Sequence, residues 1–430
     1  MSILPDLMKN VVIPSCFPVI QSFPNDDIQD IPAAVTQALE QSPIASATLK
    51  GTVAIGVGSR GVANIPAVTR ATVAWFKSKG AVPFVVPCMG SHGGATDEGQ
   101  IKVLAELGVT EDSAGCPIRS SMEVVQLGTL DNGLPVYMDK HAWNADNVFV
   151  INRIKAHTSF SGPNESGLLK MMTIGLGKQK GADAAHTYGN AAFKTIMPAM
   201  ARMAIEKKRG FLGGLALIEN ERDHTFRIEC LPADVLAERD AELLQYAKTR
   251  MPSLPLDQVD LLIIDRLGKN ISGSGMDTNV TGRHASSAKS GGPDVSRLVV
   301  LRLTPETKGN ASGLGMADII PRSLADAINF EYTYANAITS TNLAYVRLPM
   351  ILETEEDAIR CGIKTCLGNP MAPRIAYIRD TLSVEKLLVS QALAEDLQHH
   401  NRCTVSPSPV YLRFCEKGCL DQTIWASAFN

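Results

Sequence analysis

Hydrophobic and polar positions alternate in two different periods along the first part of the chain. Four-to-eight-residue apolar runs are typical of buried strands, and stretches with apolar positions three and four residues apart are typical of helices. Strands are predicted at 52–57, 81–89 and 145–152, and helices at 31–41, at 66–80, from near Thr96, and at 194–208. This strand–helix alternation predicts a parallel sheet with helices on both of its faces.

The pattern restarts after a proline-containing linker, MPSLPLDQ at 251–258. Before it, residues 213–231 alternate as a β-hairpin does, and a helix is predicted near 232–250. After it, strands are predicted at 260–268 and 297–303. We therefore expect an α/β protein of two domains, 1–257 and 258–405, each with a mostly parallel sheet flanked by helices and with the active site in the cleft between them. The segment 405–414 is expected to be a strand by which the tail, 406–430, returns to the first domain.

Composition narrows the class of protein. The 430 residues are 45% hydrophobic and 20% charged, as in soluble globular proteins, and a net charge of -3 predicts no binding to nucleic acid or to anionic membranes. We see no apolar run of the roughly 18 residues that span a bilayer and no secretory signal pattern. The nine cysteines form no CxxC pair, which favours a reducing, cytoplasmic location over a zinc cage or a disulfide framework.

The segment from Arg153 to Asn190 carries the most chemistry. Lys170 lies in an otherwise apolar run, LLKMM at 168–172. If that run is buried, the ammonium must be paired, neutralised or covalently consumed, and a desolvated lysine commonly bonds to a carbonyl or a cofactor. A lysine that extends its charge from a helix surface into solvent is the competing interpretation, with about equal weight from this residue alone.

Two histidines flank this lysine at distinctive spacings. His157 lies thirteen residues before Lys170, and His186 lies sixteen residues after it. The segment resembles the lactate racemase family, whose members carry a nickel-pincer nucleotide. The resemblance implies that Lys170 forms a thioamide with the pyridinium ring of this cofactor, that His186 is a nitrogen ligand to nickel, and that 1–257 is the cofactor-binding domain.

The stretch between Lys170 and His186 aligns with the family without a gap. It places Gly175 and Gly177 among the expected cofactor-binding residues. Lys178 and Lys180 are candidates for the phosphate of the nucleotide, because glycine-flanked cations near a helix start suit an anion. A solvated charged loop is the alternative for these two lysines.

A glycine-rich loop follows the first predicted strand. Gly56, Gly58 and Gly61 have G-x-G-x-x-G spacing, but no acidic residue ends the next strand, as a nicotinamide-binding fold would require. Arg60 at this strand end suits bidentate capture of a carboxylate, and the resemblance gives it that role. Val57 stands where the family has an aspartate, which favours a substrate other than lactate.

Two further histidines are candidates for proton transfer. His92 lies in MGSHGG after the second predicted strand, and its ordinary alternative is a turn histidine bound to backbone groups. The resemblance makes His92 and His157 the two catalytic histidines, because a group that titrates near neutrality can take and return a proton. The link between His157 and Lys170 is longer than in lactate racemases and contains Asn164 and Glu165.

The second domain contributes the loop 269–284, KNISGSGMDTNVTGRH. Asp277, Asn279 and Arg283 are its candidate ligand contacts, and Asn279 and Arg283 are the nearest equivalents of an amide and a lysine with which the family closes its site. A plain surface loop is equally compatible with these residues. The remaining histidines receive no functional role: 141, 224, 284, 399 and 400.

The function expected from this resemblance is an isomerase, a racemase or epimerase of a 2-hydroxy acid. Its partners would be that small molecule and the enzymes that make and load the cofactor. A nicotinamide-dependent oxidoreductase that uses the glycine loop 56–61 is one alternative. A homologue that binds a metal or nucleotide without turnover is the other.

Overall fold

The structure, a computed structural model, describes residues 3–59, 61–369 and 371–429. The strands are β1 Phe17–Gln21, β2 Thr52–Val57, β3 Val82–Pro87, β4 Val124–Thr129, β5 Pro135–Asp139, β6 Asn147–Arg153, β7 Phe211–Glu219, β8 Thr225–Pro232, β9 Gln258–Leu267, β10 Asp294–Leu303, β11 Ile319–Pro321, β12 Met350–Leu352, β13 Ile375–Ile378, β14 Lys386–Val389 and β15 Cys403–Val405.

The α-helices are α1 Leu4–Met8, α2 Ile31–Glu40, α3 Ile65–Ser78, α4 Asp97–Glu106, α5 Glu111–Ala114, α6 Lys140–Asn144, α7 Leu168–Lys170, α8 Lys178–His186, α9 Phe193–Lys207, α10 Leu236–Lys248, α11 Thr278–Thr281, α12 Arg322–Asp326, α13 Phe330–Ser340, α14 Glu355–Thr365, α15 Gln391–Leu397 and α16 Ile424–Ala428. A π-helical turn spans Met171–Gly175, and short 3-10 turns connect other elements.

The chain divides into two compact units. One is Asn25–Met251, and the other joins the first 24 residues to the residues from Pro252 onward. The predicted boundary near residue 257 lies close to this division. The prediction that the first 24 residues belong to the N-terminal domain is wrong, because β1 pairs with β14 and β15 in the sheet of the other unit.

The Asn25–Met251 unit is built on a sheet of order β3-β2-β6-β7-β8. Neighbours from β3 to β7 are parallel, and β7 and β8 form the predicted antiparallel hairpin. The inner strands read as continuous apolar runs because helices cover both faces; Ile55 and Phe149 are completely buried. The carboxyl ends of β2, β3 and β6 consequently meet at one edge of this sheet. β4 and β5 form a separate two-stranded ribbon.

The other unit has a mixed sheet of order β12-β11-β10-β9-β13-β14-β1-β15. Pairs from β12 to β13 are parallel, whereas β13, β14, β1 and β15 pair antiparallel. The prediction of an α/β protein with mostly parallel sheets is thus confirmed. The antiparallel part was not predicted, because β1 is short, contains Pro18 and is stabilised by partners that are distant in sequence.

The tail differs from its prediction. Instead of a strand at 405–414, β15 ends at Val405, and isolated bridges join Val410 to Cys16 and Phe414 to Leu420. Leu420 and Ile424 pack in the same hydrophobic cluster as Leu261 of β9. The tail therefore belongs to the second unit and does not return to the first.

No helix within the described residues combines the length and the apolarity that a membrane crossing requires.

Candidate active site

A serine and a histidine meet beyond the carboxyl ends of β2 and β3. Ser59 follows β2, His92 follows β3, and the hydroxyl of Ser59 is hydrogen-bonded to Nδ1 of the exposed His92. The buried amide of Gln100 holds the turn that carries His92, because its Nε2 donates to the carbonyls of Gly90 (2.8 Å) and His92 (3.3 Å). The turn that carries His92 is therefore stabilised by Gln100, and the Nδ1 of His92 is hydrogen-bonded to Ser59.

His157 lies just past β6 in a loop closed by the bridge between Lys155 and Ser166. The buried carboxylate of Glu165 organises this loop: it accepts the backbone N–H of His157 at 2.6 Å and pairs with the ammonium of Lys248 at 2.8 Å. The backbone N–H of Ser159 donates to Nδ1 of His157 at 3.1 Å. Since Nδ1 accepts, the neutral ring carries its proton on Nε2.

Lys170 ends a short helical turn, α7, that is anchored at its start. The buried carboxylate of Asp240 accepts the backbone N–H of Leu168 (2.8 Å) and the side-chain amide of Asn164 (2.9 Å). Burial raises the pKa of Asp240, and these hydrogen bonds oppose that shift. Asn152, near the end of β6, donates to the carbonyl of Gly167 at 3.1 Å. Lys170 itself is half-buried between fully buried neighbours.

The chain passes from Lys170 into the π-helical turn Met171–Gly175, a local widening that is frequent at functional sites. This turn packs on the end of β3, where the thiol of Cys88 donates to the carbonyl of Met171 at 3.0 Å. A Cβ at Gly175 would lie 2.5 Å from the sulfur of Cys88, and one at Gly177 would lie 2.3 Å from the carbonyl oxygen of Thr173. Both glycines are therefore required for close packing, and their contact with a cofactor stays a prediction.

Lys178 has a role that the sequence did not suggest. Its ammonium is completely buried, lies 3.2 Å from the carboxylate of Asp139, and donates to the carbonyl of Pro87 (2.6 Å) and to Oε1 of Gln100 (2.9 Å). These contacts use its N–H donors inside the protein, so the predicted contact of Lys178 with a phosphate is withdrawn. Lys180 is exposed on α8, and for it the phosphate contact stays a prediction.

His186 is the last residue of α8, which packs back against the π-helical turn. Its buried Nδ1 has no hydrogen-bond partner among the residues that the structure describes. Burial lowers the pKa of His186, and the nearby charge of Lys170 lowers it further, while Asp183 opposes both. A neutral imidazole with an unused ring nitrogen is the form that binds a transition metal.

Two phenylalanines that the sequence analysis missed connect the histidines. Ring centroids are 4.4 Å apart for His157 and Phe160, 5.1 Å for Phe160 and Phe193, and 4.9 Å for Phe193 and His186. Both phenylalanines are buried. His157 and His186 thus lie at the two ends of one aromatic pair; the placement of Phe160 three residues after His157 was the only sequence signal.

The residues of this site fit a nickel-pincer nucleotide. The amine of Lys170 lies close enough to His186, sixteen residues later in the chain, for its charge to lower the pKa of that histidine. No group of three or more His, Cys, Asp or Glu side chains with metal-binding geometry occurs in the described ranges. A single protein nitrogen suits a metal whose other ligands come from the organic group that carries it.

Arg60, the predicted carboxylate-binding residue, lies outside the described residues. Its neighbour Val57 is buried at the end of β2, and Gly56 lies within that strand. The loop from Gly58 to Asn64 does join a strand to a helix, as a dinucleotide fingerprint does, but β3 is followed by Cys88, where the fingerprint has an acidic residue.

The predicted residues of the second unit make contacts within that unit. Asp277 caps α11, and its carboxylate accepts both the backbone N–H (2.9 Å) and the side-chain amide (2.8 Å) of Asn279. Arg283 pairs with Asp318 at 2.7 Å and donates to two backbone carbonyls. The substrate contact predicted for Arg283 is therefore withdrawn, and that of Asn279 stays a prediction.

Comparison with known proteins bears on this site. Residues 19–192 match the model of the lactate racemase N-terminal domain. The structure of the lactate racemase apoprotein from Thermoanaerobacterium thermosaccharolyticum is similar, with 15% sequence identity, a TM-score of 0.51, and coverage of 86% of this chain and 99% of that chain. The matched stretch, which covers less than half of the chain, is thus similar to the lactate racemase N-terminal domain.

A protein from Thermotoga maritima solved by a structural genomics consortium is also similar, with 14% identity, a TM-score of 0.45, and coverage of 65% of this chain and 72% of that chain. No curated protein sequence matches the chain. The matched stretch, residues 19–192, contains His92, His157, Lys170 and His186, whereas Asn279 and Arg283 lie beyond it.

Proposed function

We propose that this protein is a racemase or epimerase of a 2-hydroxy acid that carries a nickel-pincer nucleotide on Lys170, with His186 as the nickel ligand. The observation that carries the proposal is the buried Nδ1 of His186, which has no partner within the described residues and lies close to the half-buried Lys170. The similarity of residues 19–192 to the lactate racemase N-terminal domain supports racemisation as the type of reaction.

When bound, this cofactor supplies reversible acceptance of the C2 hydrogen together with its electron pair. The protein then has three tasks: to hold the group, to orient the substrate and to move the hydroxyl proton. Lys170 holds the organic part through its amine, and His186 holds the metal through a nitrogen that burial keeps unprotonated. Arg60 is the residue proposed to orient the substrate carboxylate.

The two catalytic histidines have different hydrogen-bonding states in this proposal. His157 accepts at Nδ1 from Ser159 and therefore presents a proton on Nε2. His92 is bonded at Nδ1 to Ser59; when that bond is donated by His92, its Nε2 carries a lone pair. We assign His92 as the base that takes the hydroxyl proton, and His157 as the donor to the substrate oxygen, with these roles exchanged in the reverse inversion.

The substrate is proposed to be a 2-hydroxy acid other than lactate. Val57 replaces an acidic family residue and presents only apolar atoms at the end of β2. The longer link after His157 is a folded part of the site wall, since Asn164 and Glu165 are both buried and bonded to α10. This wall differs from that of lactate racemases and lies next to a proposed catalytic histidine. We therefore expect the side chain of the substrate to differ from that of lactate.

Two alternative functions predict experimental results that differ from those of the proposed racemase. A nicotinamide-dependent oxidoreductase is suggested by the strand–loop–helix at 52–78, but it gives Lys170 no covalent role. A homologue without turnover would bind the cofactor and leave every 2-hydroxy acid unchanged. Both can be separated from the proposal by the same two assays.

The first assay is peptide mass spectrometry of Lys170 after co-expression with the cofactor-synthesis enzymes. We expect a nucleotide-sized adduct on Lys170, its loss in Lys170→Arg, and its retention in Lys180→Arg, a matched change at an exposed lysine of the same segment. An unmodified Lys170 under conditions that load a lactate racemase would refute the covalent attachment.

The second assay follows solvent deuterium and configuration at C2 for a panel of 2-hydroxy acids. Inversion of at least one of them by loaded protein, and none by Lys170→Arg, supports the racemase. A loaded protein that inverts no member of a panel spanning small, branched, polar and aromatic side chains would favour the homologue without turnover. Nicotinamide-dependent oxidation of a panel member would favour the oxidoreductase.

A further inference from the structure

A tight hairpin near the C-terminus places two cysteines opposite each other. Phe414 and Leu420 form an antiparallel bridge, so Cys415 and Cys419 are the next pair toward the turn. The backbone N–H of Cys415 donates to the carbonyl of Cys419 at 2.9 Å, and the N–H of Gly418 donates to the carbonyl of Cys415 at 2.8 Å. Gly418 has a φ of 68°, which the tight turn requires. We call residues 414–420 the cysteine hairpin.

This pairing has the geometry that a disulfide needs. Directly opposite, hydrogen-bonded residues of an antiparallel pair have Cα atoms about 5.5 Å apart, within the roughly 4.4–6.8 Å that disulfides span. Cys415 and Cys419 are both exposed, whereas the other cysteines are buried or half-buried. An oxidant in solution therefore reaches this pair most easily.

The two thiols are also chemically unequal. The backbone N–H groups of Cys419, and then of Lys417, lower the pKa of Cys415, and the thiol of Cys419 adds a hydrogen bond in the same direction. Burial is the largest cause that raises the pKa of Cys419, followed by its hydrogen bond to Cys415. A low-pKa, exposed thiol beside a second thiol is the arrangement of an attacking and a resolving cysteine.

The cysteine hairpin is bound to the charged centre of its own unit. The backbone N–H of Leu420 donates to the carboxylate of Glu355 at 2.6 Å, and the carbonyl of Leu420 accepts from Arg302 at 3.2 Å. Arg302 in turn pairs with Glu355 and with the buried Asp265 of β9. The hairpin is thereby held in one conformation, which keeps the two cysteines opposite each other.

We propose that Cys415 and Cys419 are a redox-modification site, at which a hydroperoxide converts the dithiol into a reversible disulfide across the hairpin. The Cys415 thiolate attacks one oxygen of the peroxide, the O–O bond breaks, and a sulfenic acid and hydroxide form. The Cys419 thiolate then attacks the Cys415 sulfur and displaces hydroxide, which leaves as water after protonation. Two thiols are oxidised and one peroxide is reduced to two water molecules (one alcohol and one water for an organic hydroperoxide).

Reversibility follows from the position of the bond. It would close a loop of only three intervening residues at an exposed site, which is typical of disulfides that small thiols reduce readily. A reversible disulfide is compatible with the cytoplasmic location expected for this chain. In a reducing compartment the two cysteines would rest as free thiols and form the disulfide only on oxidation.

The sequence makes the test direct, because trypsin cleaves after Arg413 and after Lys417, between the two cysteines. The full-length protein is reduced, exposed to equimolar hydrogen peroxide, alkylated and digested. We expect peptides 414–417 and 418–430 to appear joined, two hydrogen atoms lighter than their sum, and to separate again with dithiothreitol. Separate, alkylated peptides after peroxide would overturn the proposal.

Variants identify the attacking thiol. In Cys419→Ser, a 1,3-diketone that traps sulfenic acids should label Cys415 at least about tenfold more than it labels the half-buried Cys403, since reactivity follows thiolate content and exposure. In Cys415→Ser, Cys419 should be labelled little. Equal labelling of Cys415 and Cys403 would overturn the assigned roles, and Cys403→Ser serves as the control that leaves the joined peptides unchanged.

Discussion

Two glycine-rich, polar segments of this chain look alike in sequence and differ in what their side chains are bonded to. The segment 168–186 and the loop 268–284 each combine glycines with cations and polar residues. In the loop, Asp277 caps a helix turn and Arg283 is paired with Asp318. In the segment, the Nδ1 of His186 is buried with no partner among the described residues. A buried polar atom without a hydrogen-bond partner therefore indicates a functional site better than amino-acid composition does.

A difference in burial separates two lysines of this segment. Lys178 is surrounded by Asp139, Gln100 and a carbonyl at the end of β3, whereas Lys170 is half-buried near His186. Lys178 therefore supports the fold under the site, and Lys170 is the lysine proposed to carry chemistry. The predictions below test this division of roles.

The largest loss of stability is expected for Lys178→Met, because this change leaves the completely buried carboxylate of Asp139 without its counter-charge. Breaking one side of a buried pair costs about 3–5 kcal/mol of unfolding free energy. Denaturant unfolding of the purified variant measures it. Lys180→Met, at an exposed position, should change stability by less than about 0.5 kcal/mol.

A double variant tests whether the uncompensated charge of Asp139 causes the loss of stability. In Lys178→Met combined with Asp139→Leu, the uncompensated charge is removed, and a large part of the lost stability should return. If the single variant were as stable as the original protein, Lys178 would not be a structural lysine, and its predicted contact with the nucleotide phosphate would have to be reconsidered.

An intermediate effect is expected for Asp240→Ala. This change leaves the buried N–H of Leu168 and the amide of Asn164 without an acceptor, at a cost of about 1–3 kcal/mol. Because α7 would lose its anchor, the fraction of Lys170 that carries the adduct should also fall. Glu238→Ala, at an exposed position of the same helix, is the control; equal loading of Lys170 in both variants would show that the anchor is not needed.

The smallest effect is expected for Arg283→Ala, since its ion pair with Asp318 is about a quarter exposed on each side (27% and 27%). Such pairs contribute about 0–1 kcal/mol. With an identified substrate, KM should not change. A KM raised tenfold or more at unchanged stability would restore the substrate-binding role that the sequence suggested for Arg283.

Much of the fold could be predicted because its signals are local. Apolar runs gave the positions of β2, β3, β6, β9 and β10, and alternation gave the hairpin of β7 and β8. The elements that were missed depend on distant partners. β1 pairs with strands near the other end of the chain, and the tail packs on β9 through Leu420.

The candidate site divides in the same way. Lys170, His186 and His157 became candidates through a family resemblance carried by their spacing, which is visible in a single sequence. The burial of Lys178 was not, because Asp139 and Gln100 come from distant elements, and hydrogen bonds between residues 78 positions apart leave no local pattern. Phe160 and Phe193 were not singled out from the sequence, although their rings join the two histidines.

The central claim is that Lys170 holds the organic part of the cofactor and His186 holds its metal. The most direct test measures nickel content and the Lys170 adduct in the same loaded samples of the original protein and of His186→Ala. The account predicts about one nickel per chain in the original protein, as one site with one protein nitrogen requires. In the variant, it predicts an intact adduct with most of the nickel lost. A variant that keeps both adduct and nickel at the original level would contradict the account.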